Sequence, residues 1–254
     1  ILPAVDVSSG ELLIFLPMTD DQSEFDLRCE WGEWGVAKLA PISDVVIIVD
    51  VLSFSTCVEI GTDNKAIIFP YPGRDESAAE YAKSVKAELA SRDRQQGYSL
   101  SPATLVNIPA GTRLVLPSPN GSKLTLQTGR TPTLAGCLRN CVAIARNAQT
   151  YGAKIAVIPA GERWEDGTLR PAWEDLIGAG AILSYLQGKL SPEAEAAVVV
   201  FQKWRDSLGD ALKQCSSGKE LIARGFATDV EIAAALNVSN CVPIFTGGAY
   251  VNQN

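Results

Sequence analysis

Between Ala160 and Gly180 the chain reads Ala-Gly-Glu-Arg-Trp-Glu-Asp-Gly-Thr-Leu-Arg-Pro-Ala-Trp-Glu-Asp-Leu-Ile-Gly-Ala-Gly, a loop rich in carboxylates and arginines that leads into a glycine-rich helix. Carboxylates suit a hard cation such as Mg²⁺, arginine suits oxyanions, and glycine lets a ligand approach the backbone. The candidates here are Glu162, Arg163, Asp166, Arg170, Glu174 and Asp175. A purely structural reading competes, in which 165–167 is a solvated turn and Glu174 and Asp175 only favour the positive end of a helix. Neighbours on a helix lie about 100° apart, so one of Glu174 and Asp175 is expected to face a ligand while the other supports it.

Two further polar clusters follow apolar runs. Asp50 ends Val45-Val-Ile-Ile-Val49 and precedes Val51-Leu-Ser-Phe-Ser-Thr56. Ligands gather beyond the C-terminal ends of parallel strands, where a following helix presents free N–H groups. Asp50 is therefore a candidate ligand or nucleophile, and Ser55 and Thr56 are candidate anion contacts; helix capping and a structural ion pair are the alternatives. Leu52 occupies the place of the second carboxylate in an Asp-x-Asp phosphatase motif, which favours Asp50 as a metal ligand. The run Arg113–Pro117 leads into Ser118-Pro-Asn-Gly-Ser122, where Asn120, Gly121 and Ser122 could open a helix toward an anion. It is not a Walker loop. Ser216, Ser217, Gly218 and Lys219 read as a helix cap rather than as an anion site.

Composition narrows the chemistry. The 254 residues include no histidine, which removes Ser-His-Asp and Cys-His catalysis and imidazole metal sites. A net charge of −7 argues against nucleic acid as a partner. No apolar run approaches the roughly 20 residues that span a bilayer, and Ile1–Gly10 lacks the basic start of a signal peptide. The six scattered cysteines form no Cys-x-x-Cys pair and read as buried apolar residues of a reducing compartment, so a cytoplasmic location is expected.

The elements that must position these residues alternate between β-branched runs and helical periods, the pattern of an α/β protein. Strands are expected at Leu12–Leu16, Val45–Val51, Ala66–Phe69, Arg113–Leu116 and Lys154–Ile158. Helices are expected at Ser55–Gly61, Glu76–Ala90, Leu138–Thr150, Trp173–Gln187, Pro192–Leu208, Lys219–Arg224 and Asp229–Leu236. The runs at 45–51 and 154–158 are apolar on both faces, so helices should cover both sides of a mainly parallel or mixed sheet. The polar, arginine-rich segment 91–109 reads as a loop, either a lid, a subunit contact or a disordered connection. One domain, 1–254, is expected, with room for two lobes. Apolar and aromatic residues in Phe25–Trp34 belong to the core or to a homo-oligomer contact.

Val49-Asp-Val-Leu-Ser-Phe-Ser-Thr56, Pro119-Asn-Gly-Ser122, Ala160-Gly-Glu162 with Glu174-Asp-Leu-Ile-Gly-Ala-Gly180, and Ser217-Gly-Lys-Glu-Leu221 with Gly225-Phe226 and Asp229-Val230 together resemble the 2-phosphosulfolactate phosphatase family. The resemblance implies a three-layer α/β/α fold, Mg²⁺, and hydrolysis of a small anionic phosphomonoester, 2-phospho-3-sulfolactate, in the route to coenzyme M. It implies Asp50 and Asp175 as metal and catalytic positions, with Glu162 or Glu174 in support, and Ser55, Thr56, Asn120, Gly121 and Ser122 around the anion, with Arg163 and Arg170 as further anion contacts. The chain departs from the family's Asp-Val-Leu-Arg-Ala-Thr pattern, having Ser53 in place of arginine, and Gly97-Tyr-Ser-Leu-Ser-Pro102 replaces a longer block. Arg28, Arg163 or Arg170 could restore the lost guanidinium. A non-catalytic binder of small organic anions and a metal-dependent isomerase or lyase of a hydroxy acid remain alternative functions.

Overall fold

The computed structural model describes residues 20–73 and 75–253, so the strand expected at Leu12–Leu16 lies outside the described residues. In chain order the elements are β1 (Leu27–Cys29), α1 (Gly32–Leu39), β2 (Val45–Val49), α2 (Phe54–Asp63), β3 (Ile67–Tyr71), α3 (Ser77–Ser84), β4 (Glu88–Leu89), β5 (Arg113–Pro117), α4 (Gly121–Gln127), β6 (Thr133–Gly136) and α5 (Cys141–Ala148). There follow β7 (Ile155–Pro159), β8 (Glu162–Arg163), β9 (Leu169–Arg170), α6 (Trp173–Leu183), α7 (Pro192–Trp204), α8 (Leu208–Gln214), α9 (Ser216–Ala223), α10 (Ala227–Ala233), β10 (Pro243–Thr246) and β11 (Ala249–Asn252).

Nine strands form one mixed sheet in the order β1-β7-β2-β6-β10-β11-β3-β5-β4, and β8 pairs with β9 in a separate ribbon. The sheet has two parallel parts. β1, β7, β2 and β6 form one, with Ile47 opposite Val157 and Leu134, and β3, β5 and β4 form the other, with Ile68 opposite Leu114. The β10–β11 hairpin joins them through three antiparallel pairings. An odd number of reversals makes the two parts run in opposite senses, yet the chain after β2 meets the chain after β5, where Asp50 accepts the Gly121 N–H, and α2 packs on the strands between. That helix is buried from Phe54 to Thr62 and packs against β3, β6, β10 and β11.

Successive residues of β2 alternate faces and bury both. Val45, Ile47 and Val49 pack with Ile144, Ile177, Ile182 and Phe201 from α5, α6 and α7. Val46 and Ile48 pack with Val36 and Leu39 of α1 and Leu124 of α4. Helices therefore lie on both faces of the sheet, the three-layer α/β arrangement expected from the apolar runs. Gly178 and Gly180 serve close packing: a Cβ at Gly178 would lie 2.8 Å from Val49, and one at Gly180 would strike the Ala197 carbonyl of α7.

Local signals explain several boundaries. Ser191 caps α7 by accepting the Ala194 N–H at 3.1 Å, with Pro192 in the first turn. The helix expected over 76–90 is shorter, because after Ser84 the chain turns at Lys86 (φ 51°) and pairs Glu88 and Leu89 with β5. The helix expected over 192–208 ends at Trp204, and α8 continues the chain after a short 3-10 turn. All six cysteines are free; Cys215 is half-buried and the others are buried. Among the described residues no helix is long and apolar enough to cross a membrane.

Candidate active site

Asp50 follows β2 and is almost wholly buried. Its Oδ1 accepts the Phe54 N–H and its Oδ2 accepts the Gly121 N–H, each at 2.9 Å. One carboxylate thus joins the N-termini of α2 and α4, which are brought there by β2 and β5. Only glycine fits at 121, since a Cβ would lie 2.8 Å from Asp50 Oδ2 and against the Phe54 ring.

Asp175, in the first turn of α6, makes a similar junction. Its Oδ1 accepts the Val51 N–H at 2.7 Å and its Oδ2 accepts the Gly161 N–H at 2.9 Å, tying the chain after β2 to the chain after β7. Its neighbour Glu174 lines an adjoining cavity with Trp173 and Cys215. Of this pair, Asp175 is thus bound to main-chain amides and Glu174 lines the adjoining cavity. Glu162, on β8, receives Asn120 Nδ2–H at 2.9 Å on its Oε2.

These carboxylates act on one another. Burial pushes the Asp50 carboxyl up, the Phe54 and Gly121 amides oppose that, Glu174 repels it and Arg94 attracts it. Burial pushes Asp175 well above the usual carboxylate range, with repulsion from Asp50 and Glu174 added. Glu162 is pushed up to about 7, first by burial and then by the Asp50 charge, with the Asn120 hydrogen bond in opposition. Buried like charges raise one another's pKa because neither can ionise without facing the other in a poorly screened setting.

Other expected residues take different places. Ser55 Oγ donates to the Ile48 carbonyl at 3.0 Å, Thr56 Oγ1 to the Val51 carbonyl at 2.8 Å and Ser122 Oγ to the Leu116 carbonyl at 2.9 Å. All three residues are fully buried. Their protons are occupied by the main chain, so they fix the turns rather than offer donors to an anion. Arg163 is ion-paired with Glu33 and donates to the Gly167 carbonyl. Arg170 pairs with Glu220 at 2.8 Å, lies over the Trp164 ring, and still attracts the Glu162 charge. Arg28 is buried in β1, donating to the Ile42 carbonyl and Ser43 Oγ at 2.9 Å each, so it does not replace the guanidinium missing at Ser53.

The guanidinium beside Ser53 comes from Arg94, in the segment 91–109. Its Nη1 lies 3.4 Å from Ser53 Oγ and 3.0 Å from Asp229 Oδ2. Asp229 is buried, and its Oδ1 accepts Ser101 Oγ–H at 2.6 Å and the Ala103 N–H at 3.2 Å. The polar segment is therefore pinned as one wall of the site. A cavity of about 400 Å³ is lined by Asp50, Asn120 and Glu162 together with Arg92, Arg94 and Arg224. The sequence reads 91–109 as a loop, either a lid, a subunit contact or a disordered connection; the Arg94–Asp229 pairing spans 135 residues and leaves no local signature.

Among the described residues no group of three or more His, Cys, Asp or Glu side chains converges to hold a metal ion, so Asp50, Glu174 and Asp175 do not form a ready cage. Mg²⁺ seldom needs one: it takes one or two carboxylates and completes its shell with water and substrate phosphate oxygens. Mutually repelling carboxylates beside an open cavity fit that demand.

A family model described as 2-phosphosulpholactate phosphatase matches residues 36–248. The chain belongs to this family. The 2-phosphosulfolactate phosphatase of Methanothermobacter thermautotrophicus is 30% identical over 212 residues, covering 81% of this chain and 88% of that protein. A probable 2-phosphosulfolactate phosphatase of Deinococcus radiodurans is 28% identical over 221 residues, covering 81% and 89%. One from Prochlorococcus marinus is 26% identical over 224 residues, covering 79% and 88%. The match to the 2-phosphosulpholactate phosphatase family takes in every residue of the cavity described above, from Asp50 to Arg224.

Proposed function

We propose that this chain is a Mg²⁺-dependent phosphomonoesterase that releases phosphate from 2-phospho-3-sulfolactate. The observation that carries the reading is the meeting of Asp50, Asn120 and Glu162 in a cavity that also holds three arginines, within a chain of the 2-phosphosulpholactate phosphatase family.

Asp50 and Glu174 are the residues that would hold the cation. When bound, Mg²⁺ neutralises charge on the phosphoryl oxygens. Asp175 is a positioning residue, holding the backbone at Val51 and Gly161 so that Asp50 and Glu162 keep their places. Glu162 is the group that holds or moves a proton at Oε1, because Asn120 fixes its other oxygen and its carboxyl is pushed up to about 7. Arg94 supplies positive charge within reach of Asp50. The cysteines are poor nucleophiles here: burial holds Cys215 and Cys241 up at about 12 and Cys141 at about 11.

Phosphate release by the wild type and by Glu162→Gln, each with Mg²⁺ and then with chelator, tests the reading. The wild type should turn over only with the cation, and the variant should lose on the order of 10²-fold or more in kcat, the share typical of a positioned acid or base. Equal turnover by the two proteins would remove Glu162 from the chemistry. Binding of the ester without phosphate release would favour the anion-binding protein, and conversion to an isomer would favour the isomerase.

A further inference from the structure

Asp50 and Glu162 account for only part of the cavity. Arg94 and Arg224 both lie over the ring of Phe226, with their Cζ atoms 5.5 and 5.7 Å from its centroid, and Arg92 lines the same space. Cation–ring contacts hold guanidinium groups in place while leaving their in-plane N–H groups free for an oxyanion. Asp50 and Glu162 line the same cavity but accept from Phe54, Gly121 and Asn120, and of the three arginines only Arg94 is held in an ion pair, with Asp229. Asp229 takes Arg94 and is otherwise occupied by Ser101 and Ala103, while Asp93 is exposed and accepts from Gln95 and Gln96. Among the described residues neither Arg92 nor Arg224 has an ion-pair partner. A phosphate held beside Asp50 and Glu162 would leave Arg92 and Arg224 at the rim for a second anion.

We propose that Arg94 and Arg224, set over Phe226, and Arg92, which lines the same cavity, form a subsite for a second anionic group of the substrate, a sulfonate or carboxylate, and so decide which phosphomonoester is accepted. The proposal rests on the phosphatase reading for its substrate and on the arginine geometry for the subsite. Arg94 is the fixed member, held by Asp229 and Ser53; Arg92 and Arg224 are exposed and close on the anion from the rim.

The test compares three esters: 2-phospho-3-sulfolactate, 2-phosphoglycerate, which lacks the sulfonate, and glycerol 2-phosphate, which lacks the carboxylate as well. Arg224→Gln and Arg94→Lys are measured beside the wild type, the second keeping the charge against Asp229 so that folding is preserved. In each variant the ratio of kcat/KM between neighbouring esters should fall at least about tenfold at the step where the recognised group is lost. A fall between the first two esters assigns the sulfonate, and a fall between the last two assigns the carboxylate. Ratios within about twofold of the wild type at both steps would overturn the subsite even if all three esters are hydrolysed.

Calorimetric binding of sulfoacetate, which has both anions and no phosphate ester, separates the two readings. If the wild type hydrolyses no ester but binds sulfoacetate at least about tenfold more tightly than Arg224→Gln does, the phosphatase reading fails and the subsite stands. Equal affinities in the two proteins would count against the subsite whatever the turnover.

Discussion

Asp50 performs two tasks. Its charge faces the cavity, and its two oxygens hold the N–H groups of Phe54 and Gly121. Asp50→Asn removes the charge but also removes one acceptor, while relieving repulsion from Glu174. The variant is expected to keep a cooperative melt while losing on the order of 10³-fold in kcat, as when a preorganised electrostatic group is deleted; a loss under tenfold would place the chemistry elsewhere. Gly121→Ala tests position rather than charge. Its methyl group would press on Asp50 Oδ2 and Phe54, so a destabilisation of about 1–3 kcal/mol by denaturant melts is expected, together with reduced turnover. Asp50, Glu162, Asn120 and Gly121 were legible in the sequence because each follows an apolar run at a strand end. Ser55, Thr56 and Ser122, expected around the anion, donate their hydroxyl protons to backbone carbonyls in the tight turns that bring them to the site, a use that residue type and spacing do not show.

At the scale of elements, Glu33 joins α1 to α4 and to the β8 ribbon through Lys123, Gln127 and Arg163. Burial alone would raise its carboxyl, but these partners outweigh burial and hold it down at about 2, below its ordinary 4.5. A carboxylate depressed in the fold contributes stability that is complete above its unfolded pKa and lost as pH falls through the folded one. Melts of the wild type and Glu33→Gln should therefore differ above pH 4.5 and converge toward pH 2; a constant difference across that window would show that the partners do not act on its ionisation. Ser191→Ala, which removes the cap of α7, should cost about 1 kcal/mol in the same melts. The β2 and β7 strands and the start of α7 were readable because pattern and cap agree there. The β10–β11 hairpin was not, although Gly247-Gly248 between two short apolar segments is a turn signal. Four-residue strands give little periodicity, and their pairing with β6 and β3 joins segments more than 100 residues apart.

Over the whole molecule, the fold sets carboxylates and arginines into one cavity where loops from two oppositely running strand groups of one sheet come together. Such a site should be stabilised by a ligand that binds only the folded chain. Mg²⁺ is expected to raise the melting temperature, chelator to reverse the rise, and Glu174→Gln to reduce it; an unchanged temperature in the wild type would argue against a cation among these carboxylates. The most direct test of the central claim is the rate of phosphate release from 2-phospho-3-sulfolactate by the wild-type protein with Mg²⁺ and again after chelation. Saturable release with the cation and none without it is the expected result. Folded protein that releases no phosphate under either condition, or releases it equally under both, would contradict it.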